Sequence, residues 1–141
     1  MTFWDTSALL ALVLHEPRME HVARVLAADR ELAVWWATKV EATAGICRSR
    51  SDGSSGKPTI SALAVALERL LRDAYEIGPT EEIRDTACRL LRVHPLRAAD
   101  ALQLSAALVW AEHRPLGRGF VCLDARLREA AEREGFDVTP G

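Results

Sequence analysis

Residues 2–14 read TFWDTSALLALVL. Two aromatic residues, Phe3 and Trp4, run into an aspartate. A stretch rich in leucine and alanine follows, which favours a helix. This pattern predicts a short strand over 3–5 and a helix capped by Thr6 or Ser7 that reaches residue 14. The same strand-then-helix unit recurs along the chain. Residues 32–35 (LAVW) precede a helix opened by Thr38 and running to about 50. Residues 75–77 precede Pro79-Thr80-Glu81-Glu82, a helix start leading to about 93. Residues 119–123 precede a helix over 125–134 that Gly135 stops, before a last strand over 137–139. Further helices are expected from Pro17 to 29, over 59–73 and over 97–110. Strands separated by helices cannot pair as hairpins, so this alternation predicts a parallel sheet with helices on both faces.

At 141 residues the chain has the size of one domain, taken as 1–141. With 49% hydrophobic and 27% charged residues and a mean hydropathy near zero, it has the composition of an ordinary globular protein and not of a disordered tail. The longest apolar runs, 8–14 and 106–111, fall far short of the roughly 20 residues of a membrane span. No basic segment precedes the first run, so no signal peptide is expected either. Cys47, Cys88 and Cys122 are odd in number and form no CxxC pair, which reads as reduced core cysteines of a cytoplasmic protein. The net charge of −2 excludes a polycationic nucleic-acid glue without excluding a nucleic-acid substrate. Every basic residue except Lys39 and Lys57 is arginine, whose planar fork suits phosphate, although solvated helix faces explain most of them.

Ligands of open parallel sheets bind beyond the carboxyl ends of the strands. Asp5 and Asp124 fall at that edge, where each could also be only a helix cap. Asp100 shares a helical stripe with Leu104, Ala107 and Leu108, and a charge on an apolar stripe needs a partner, a metal or a functional reason. Glu41 lies among Val40, Ala44, Gly45 and Cys47 near the start of its own helix. Two carboxylates about 5 Å apart repel by roughly 3 kcal/mol at an effective dielectric near 20. If the four converge they need a cation, and an all-oxygen set suits Mg²⁺ or Mn²⁺ better than zinc. Such an ion promotes hydrolysis of phosphodiesters.

Four segments resemble the PIN-domain ribonucleases, in particular the VapC-type toxins of bacterial toxin–antitoxin pairs: WDTSALLAL at 4–12, VEATAG at 40–45, LRAADALQLSAAL at 96–108 and VCLDARLREAAEREGFDV at 121–138. The resemblance implies a single-domain three-layer α/β/α sandwich with a short parallel sheet. It implies a pocket in which Asp5, Glu41, Asp100 and Asp124 are catalytic and hold one or two Mg²⁺ or Mn²⁺ ions, with a supporting hydroxyl from Thr6 or Ser7. The activity implied is endonucleolytic cleavage of RNA to a 3′-hydroxyl and a 5′-phosphate. The partner implied is a small VapB-type antitoxin, with the toxin as a homodimer or in a higher toxin–antitoxin oligomer. Two positions depart from the family pattern: Gln103, where histidine is frequent, and Cys122, where threonine or serine is frequent.

Other signals are weaker. Gly56-Lys57-Pro58-Thr59 lacks the first glycine of a P-loop and has proline after the lysine, and GSSG at 53–56 is too short for a nucleophile elbow. His15-Glu16 is not continued to a second histidine, and His21, His94 and His113 stand apart. Trp35, Trp36 and Trp110 could stack on bases but fit core or dimer-face positions better. The rival readings are an aspartyl-phosphate phosphatase of the HAD type, which needs Asp-x-Asp where this chain has Asp5-Thr6-Ser7, and a PIN-like module that only binds RNA or protein.

Overall fold

The computed structural model describes residues 1–50 and 56–141. The GSSG stretch at 53–56 therefore falls largely outside the described residues. The elements run β1 (Thr2–Trp4), α1 (Thr6–Val13), α2 (Met19–Ala28), β2 (Leu32–Trp35), α3 (Thr38–Ser49), α4 (Ile60–Leu71), β3 (Tyr75–Ile77), α5 (Glu81–Val93), α6 (Ala98–Trp110), β4 (Gly119–Val121), α7 (Ala125–Glu134) and β5 (Asp137–Thr139). The five strands form one sheet in the order β3-β2-β1-β4-β5, and every pairing is parallel.

Alternating side chains of these short strands feed two cores. Phe3, Ala33, Trp35, Phe120 and Cys122 face one side, where they pack with Leu90 of α5, Leu104 and Leu108 of α6 and Leu127 of α7. Phe3 and Phe120, on neighbouring strands, stack with ring centroids 5.4 Å apart. Trp4, Leu32, Val34, Val121 and Leu123 face the other side, against Leu9 of α1 and Val22 of α2. Beyond them α3 and α4 pack on α1 through Val13, Ala42, Ile46, Leu63 and Leu67. The result is the three-layer α/β/α arrangement.

Several ends differ from expectation for identifiable reasons. Asp5 caps α1, and not Thr6 or Ser7, by accepting the Ser7 N–H. Thr38 does not cap α3; it is the first helical residue, fully buried, and its hydroxyl accepts a bond from Gln103. The α2 helix begins at Met19, two residues beyond Pro17. The β4 strand ends at Val121, because its partner β1 turns into α1 after Asp5; the Leu123 N–H is then taken by the Ser7 hydroxyl at 2.9 Å. Gly135 ends α7 as anticipated, in the left-handed conformation at φ 108°. His15, at φ 53°, does the same for α1, and the Glu16 N–H returns to the Ala11 carbonyl.

The cysteine reading is half overturned: Cys122 is buried, but Cys47 and Cys88 are exposed. Helix α3 buries Thr38, Ala42, Gly45 and Ile46, and α5 buries Ile83, Ala87 and Leu90, so helical periodicity turns both cysteines away from the core. Among the tryptophans, Trp35 and Trp110 join the core, whereas Trp36 is 54% exposed. No helix among the described residues is long and apolar enough to cross a membrane.

Gly45 matters because α3 lies close on α1: a Cβ there would sit 2.5 Å from Leu10 Cδ1. Glu41, one turn earlier on α3, depends on that approach. A Gly45→Val chain should lose about 1–3 kcal/mol of stability in urea denaturation through overpacking.

Candidate active site

The crossover that places β4 beside β1 and not beside β3 makes the gap between the carboxyl ends of β1 and β4 the topological switch point of the sheet. Asp5 leaves β1 there and is 4% exposed. Its Oδ2 accepts from the Ser7 backbone at 3.1 Å, from the Ser7 hydroxyl at 2.6 Å and from Cys122 Sγ at 3.5 Å. The Ser7 oxygen in turn accepts the Leu123 N–H, so one hydroxyl ties the ends of both strands together. Arg18 donates to the Leu123 carbonyl at 3.1 Å and Arg128 to the Cys122 carbonyl at 2.7 Å, which holds the loop that carries Asp124. Asp124 caps α7 through Oδ1, at 2.9 Å from the Leu127 nitrogen.

Two helices bring the other acids. Asp100 sits in the first turn of α6, half-buried, and its carboxylate receives no hydrogen bond among the described residues. Glu41 sits in the first turn of α3, also half-buried. It accepts from the Thr6 hydroxyl at 3.2 Å and, at longer range, from Gln103 Nε2 at 3.4 Å. The supporting hydroxyls thus divide their work: Ser7 serves Asp5 and Thr6 serves Glu41.

The acids feel one another. Burial pushes the Asp5 carboxyl above the usual carboxylate range, against the hydrogen bonds from Ser7, Cys122 and Thr6. Burial also raises Glu41, and the charges of Asp5 and Asp100 add to the rise, while Gln103 and Thr6 oppose it. Asp100 is pushed up to about 6 by burial and by Asp5 and Asp124, with Arg97 pulling the other way. These three side chains therefore resist ionising together, and a nearby positive charge would relieve them. A hollow of about 400 Å³ opens at Asp100 and Asp124, lined also by Arg97, Ala125 and Arg126. A second cleft, of about 320 Å³ and lined by Trp36, Lys39 and Arg72 among others, contains none of the four acids.

The donor set suits a hard cation: it is all oxygen, and the Asp100 carboxylate is otherwise unbonded. Among the described residues no three His, Cys, Asp or Glu side chains close into a ready-made metal cage. Magnesium does not need one, because it keeps several waters and takes one or two carboxylates directly. Buried Cys122 adds no thiolate, since burial and the nearby Asp5 charge push its thiol far up.

Four contributors were hard to see in the sequence. Thr38 resembled a helix cap and is instead a buried partner of Gln103. Arg97 and Arg126 were two arginines among many, and their place at the first turns of α6 and α7 appears only when those helix starts converge. Gln103 was visible only as a departure from a family pattern. His94 and His113, which looked solitary, pair with Glu134 at 3.0 Å and Glu82 at 2.8 Å, away from the acids.

A family model for the PIN domain matches residues 2–133. No curated protein matches the chain. Among solved structures, the chain resembles the toxin VapC20 of Mycobacterium tuberculosis, described as cleaving the sarcin–ricin loop, with a TM-score of 0.68, 20% identity and coverage of 92% of this chain and 95% of that one. It resembles a chain of VapBC2 from Rickettsia felis, bound to promoter DNA, with a TM-score of 0.66, 12% identity and 97% coverage of both chains. It also resembles a chain of the FitAcB structure from Neisseria gonorrhoeae, with a TM-score of 0.63, 15% identity and coverage of 98% and 96%.

Two measurements probe this geometry. Ser7→Ala removes the hydroxyl shared by Asp5 and Leu123, and leaving both without it should cost about 1–3 kcal/mol in urea denaturation. Asp100→Asn should act in the opposite sense in EDTA. A carboxyl whose folded value, about 6, lies above its ordinary value of 3.8 holds its proton more tightly when folded, so its ionisation destabilises the fold as pH rises through that window. With solvent screening of a half-exposed group the substitution should gain about 1 kcal/mol at neutral pH. Below the lower value the gain should vanish, and an equal gain at all pH values would show that charge is not its origin.

Proposed function

The chain belongs to the PIN-domain family, and on that premise we propose that it is a metal-dependent endoribonuclease of the VapC toxin type, neutralised by a VapB-type antitoxin. The observation that carries the proposal is that burial raises Asp5, Glu41 and Asp100 at the sheet's switch point and the Asp5 charge raises the other two, with a hollow at Asp100 and Asp124 rimmed by two arginines. An acidic cluster that resists its own charge is a poor structural element and a good seat for a divalent ion. The toxin–antitoxin structures that share the fold support the partner, and a relative described as cleaving the sarcin–ricin loop supports RNA as the substrate.

In this reading Asp5, Asp100 and Asp124 hold Mg²⁺ or Mn²⁺, directly or through water, and Glu41 ligates a second ion or orients the attacking water. A bound ion supplies Lewis acidity toward the phosphodiester. The chain's own residues do the rest. Glu41, fixed by Thr6 and with its affinity for a proton raised, is suited to take a proton from water. Arg97 and Arg126 face an incoming phosphate from the rim, and each can donate a pair of parallel hydrogen bonds. In-line attack on phosphorus expels the 3′ oxygen and leaves a 3′-hydroxyl and a 5′-phosphate. The protein acts in the cytoplasm, as a homodimer or in a larger toxin–antitoxin assembly.

Purified protein should cleave RNA in Mg²⁺ or Mn²⁺ and stop in EDTA. Asp5→Asn should lose at least about a hundredfold in rate, about 3 kcal/mol of transition-state stabilisation. End-labelling should find a 5′-phosphate on the downstream fragment. Cleavage that survives both EDTA and Asp5→Asn rejects the mechanism, and a protein that binds RNA without cutting it supports the binding module instead.

A further inference from the structure

Gln103 is fully buried in the middle of α6, and its amide is placed with unusual economy. Nε2 lies 2.9 Å from Thr6 Oγ1 and 3.0 Å from Thr38 Oγ1, with the Glu41 oxygens at 3.4 and 3.5 Å. Oε1 is buried with no hydrogen-bond partner. Turning the amide over would not help, because it would set a carbonyl oxygen against the Glu41 carboxylate. The nitrogen is therefore held toward the acid and the orphaned oxygen is the consequence, at a typical cost of about 1–3 kcal/mol. A methionine or leucine would remove that orphan but leave the buried Thr38 hydroxyl without its donor, a cost of similar size, so stability alone does not favour an amide here.

The hydroxyl of Thr6 has one proton. Its oxygen accepts an N–H from Gln103, which leaves that proton free to donate to Glu41 Oε2 at 3.2 Å. The other N–H goes to Thr38, which stands at the start of the helix that carries Glu41. One uncharged amide thus sets the direction of the hydroxyl and pins the base of α3. We infer that Gln103 is a positioning residue that locks the Glu41 carboxylate through Thr6 in the orientation the cation and the attacking water require, an inference that rests on the function proposed above.

The test uses the full chain with MnCl2 as the probe. Gln103→Met should melt within a few degrees of the wild type yet bind Mn²⁺ about tenfold more weakly by calorimetry, the lower end of what loss of a ligand's supporting hydrogen bond costs. Glu41→Gln should weaken binding further, and the double variant should be no worse than Glu41→Gln alone. Thr6→Val, which keeps its shape and breaks the same link elsewhere, should reproduce the Gln103→Met loss. In the metal-free protein the Glu41 side chain should become mobile by ¹³C relaxation in both variants. Wild-type Mn²⁺ affinity in either variant, additive losses, or a Glu41 that stays rigid would overturn the inference. If the wild type binds no Mn²⁺, the nuclease reading falls, and the relaxation measurement still decides for or against Gln103.

Discussion

Repulsion among carboxylates that share one partly buried edge is the constraint around which this molecule is arranged. Asp5 is desolvated, Glu41 feels Asp5 and Asp100, and Asp100 feels Asp5 and Asp124. Left alone, such a cluster takes up protons or pushes its members into water, and the fold blocks the second. Asp5 is sealed under the end of β1, and Asp100 is carried on a helix whose next three turns are almost wholly buried. The strain is tolerable because the rest of the domain is well packed: aromatic residues stack across β1 and β4 and helices cover both faces of the sheet.

Neutral donors hold the acids without cancelling them. Ser7 and Cys122 attend Asp5, Thr6 and Gln103 attend Glu41, and a backbone N–H attends Asp124. No lysine or arginine closes a salt bridge onto any of the four among the described residues, although Arg97 is near enough to Asp100 to be felt. Structural arginines are spent on carbonyls of the β4–α7 loop, where Arg18 and Arg128 fix the backbone that carries Asp124. An arginine bridging two of the acids would stabilise the cluster and leave no negative potential for a cation. The cluster is held by dipoles and not neutralised by a cationic side chain, an arrangement suited to binding a metal.

Much of this was legible from the residues. The strand–helix units, the cap and stop residues Thr80, Asp124 and Gly135, and the apolar stripe behind Asp100 are local patterns, and the structure follows them. The errors were local as well. Of the cap readings offered for α1, Thr6 or Ser7 fails and Asp5 holds, because its carboxylate reaches the Ser7 N–H. Cys47 and Cys88 are on the outside because helical phase decides burial, not residue type.

Alternation of short apolar runs with helical periodicities, read from neighbours a few positions apart, determined that this chain forms a parallel α/β sheet with acids at its carboxyl edge. The tertiary structure alone decided what those acids meet. The Thr6–Glu41, Gln103–Glu41, Gln103–Thr6 and Ser7–Leu123 bonds span 35, 62, 97 and 116 residues. Their partners are set by how helices cross over a twisted sheet, and no local periodicity encodes that crossing.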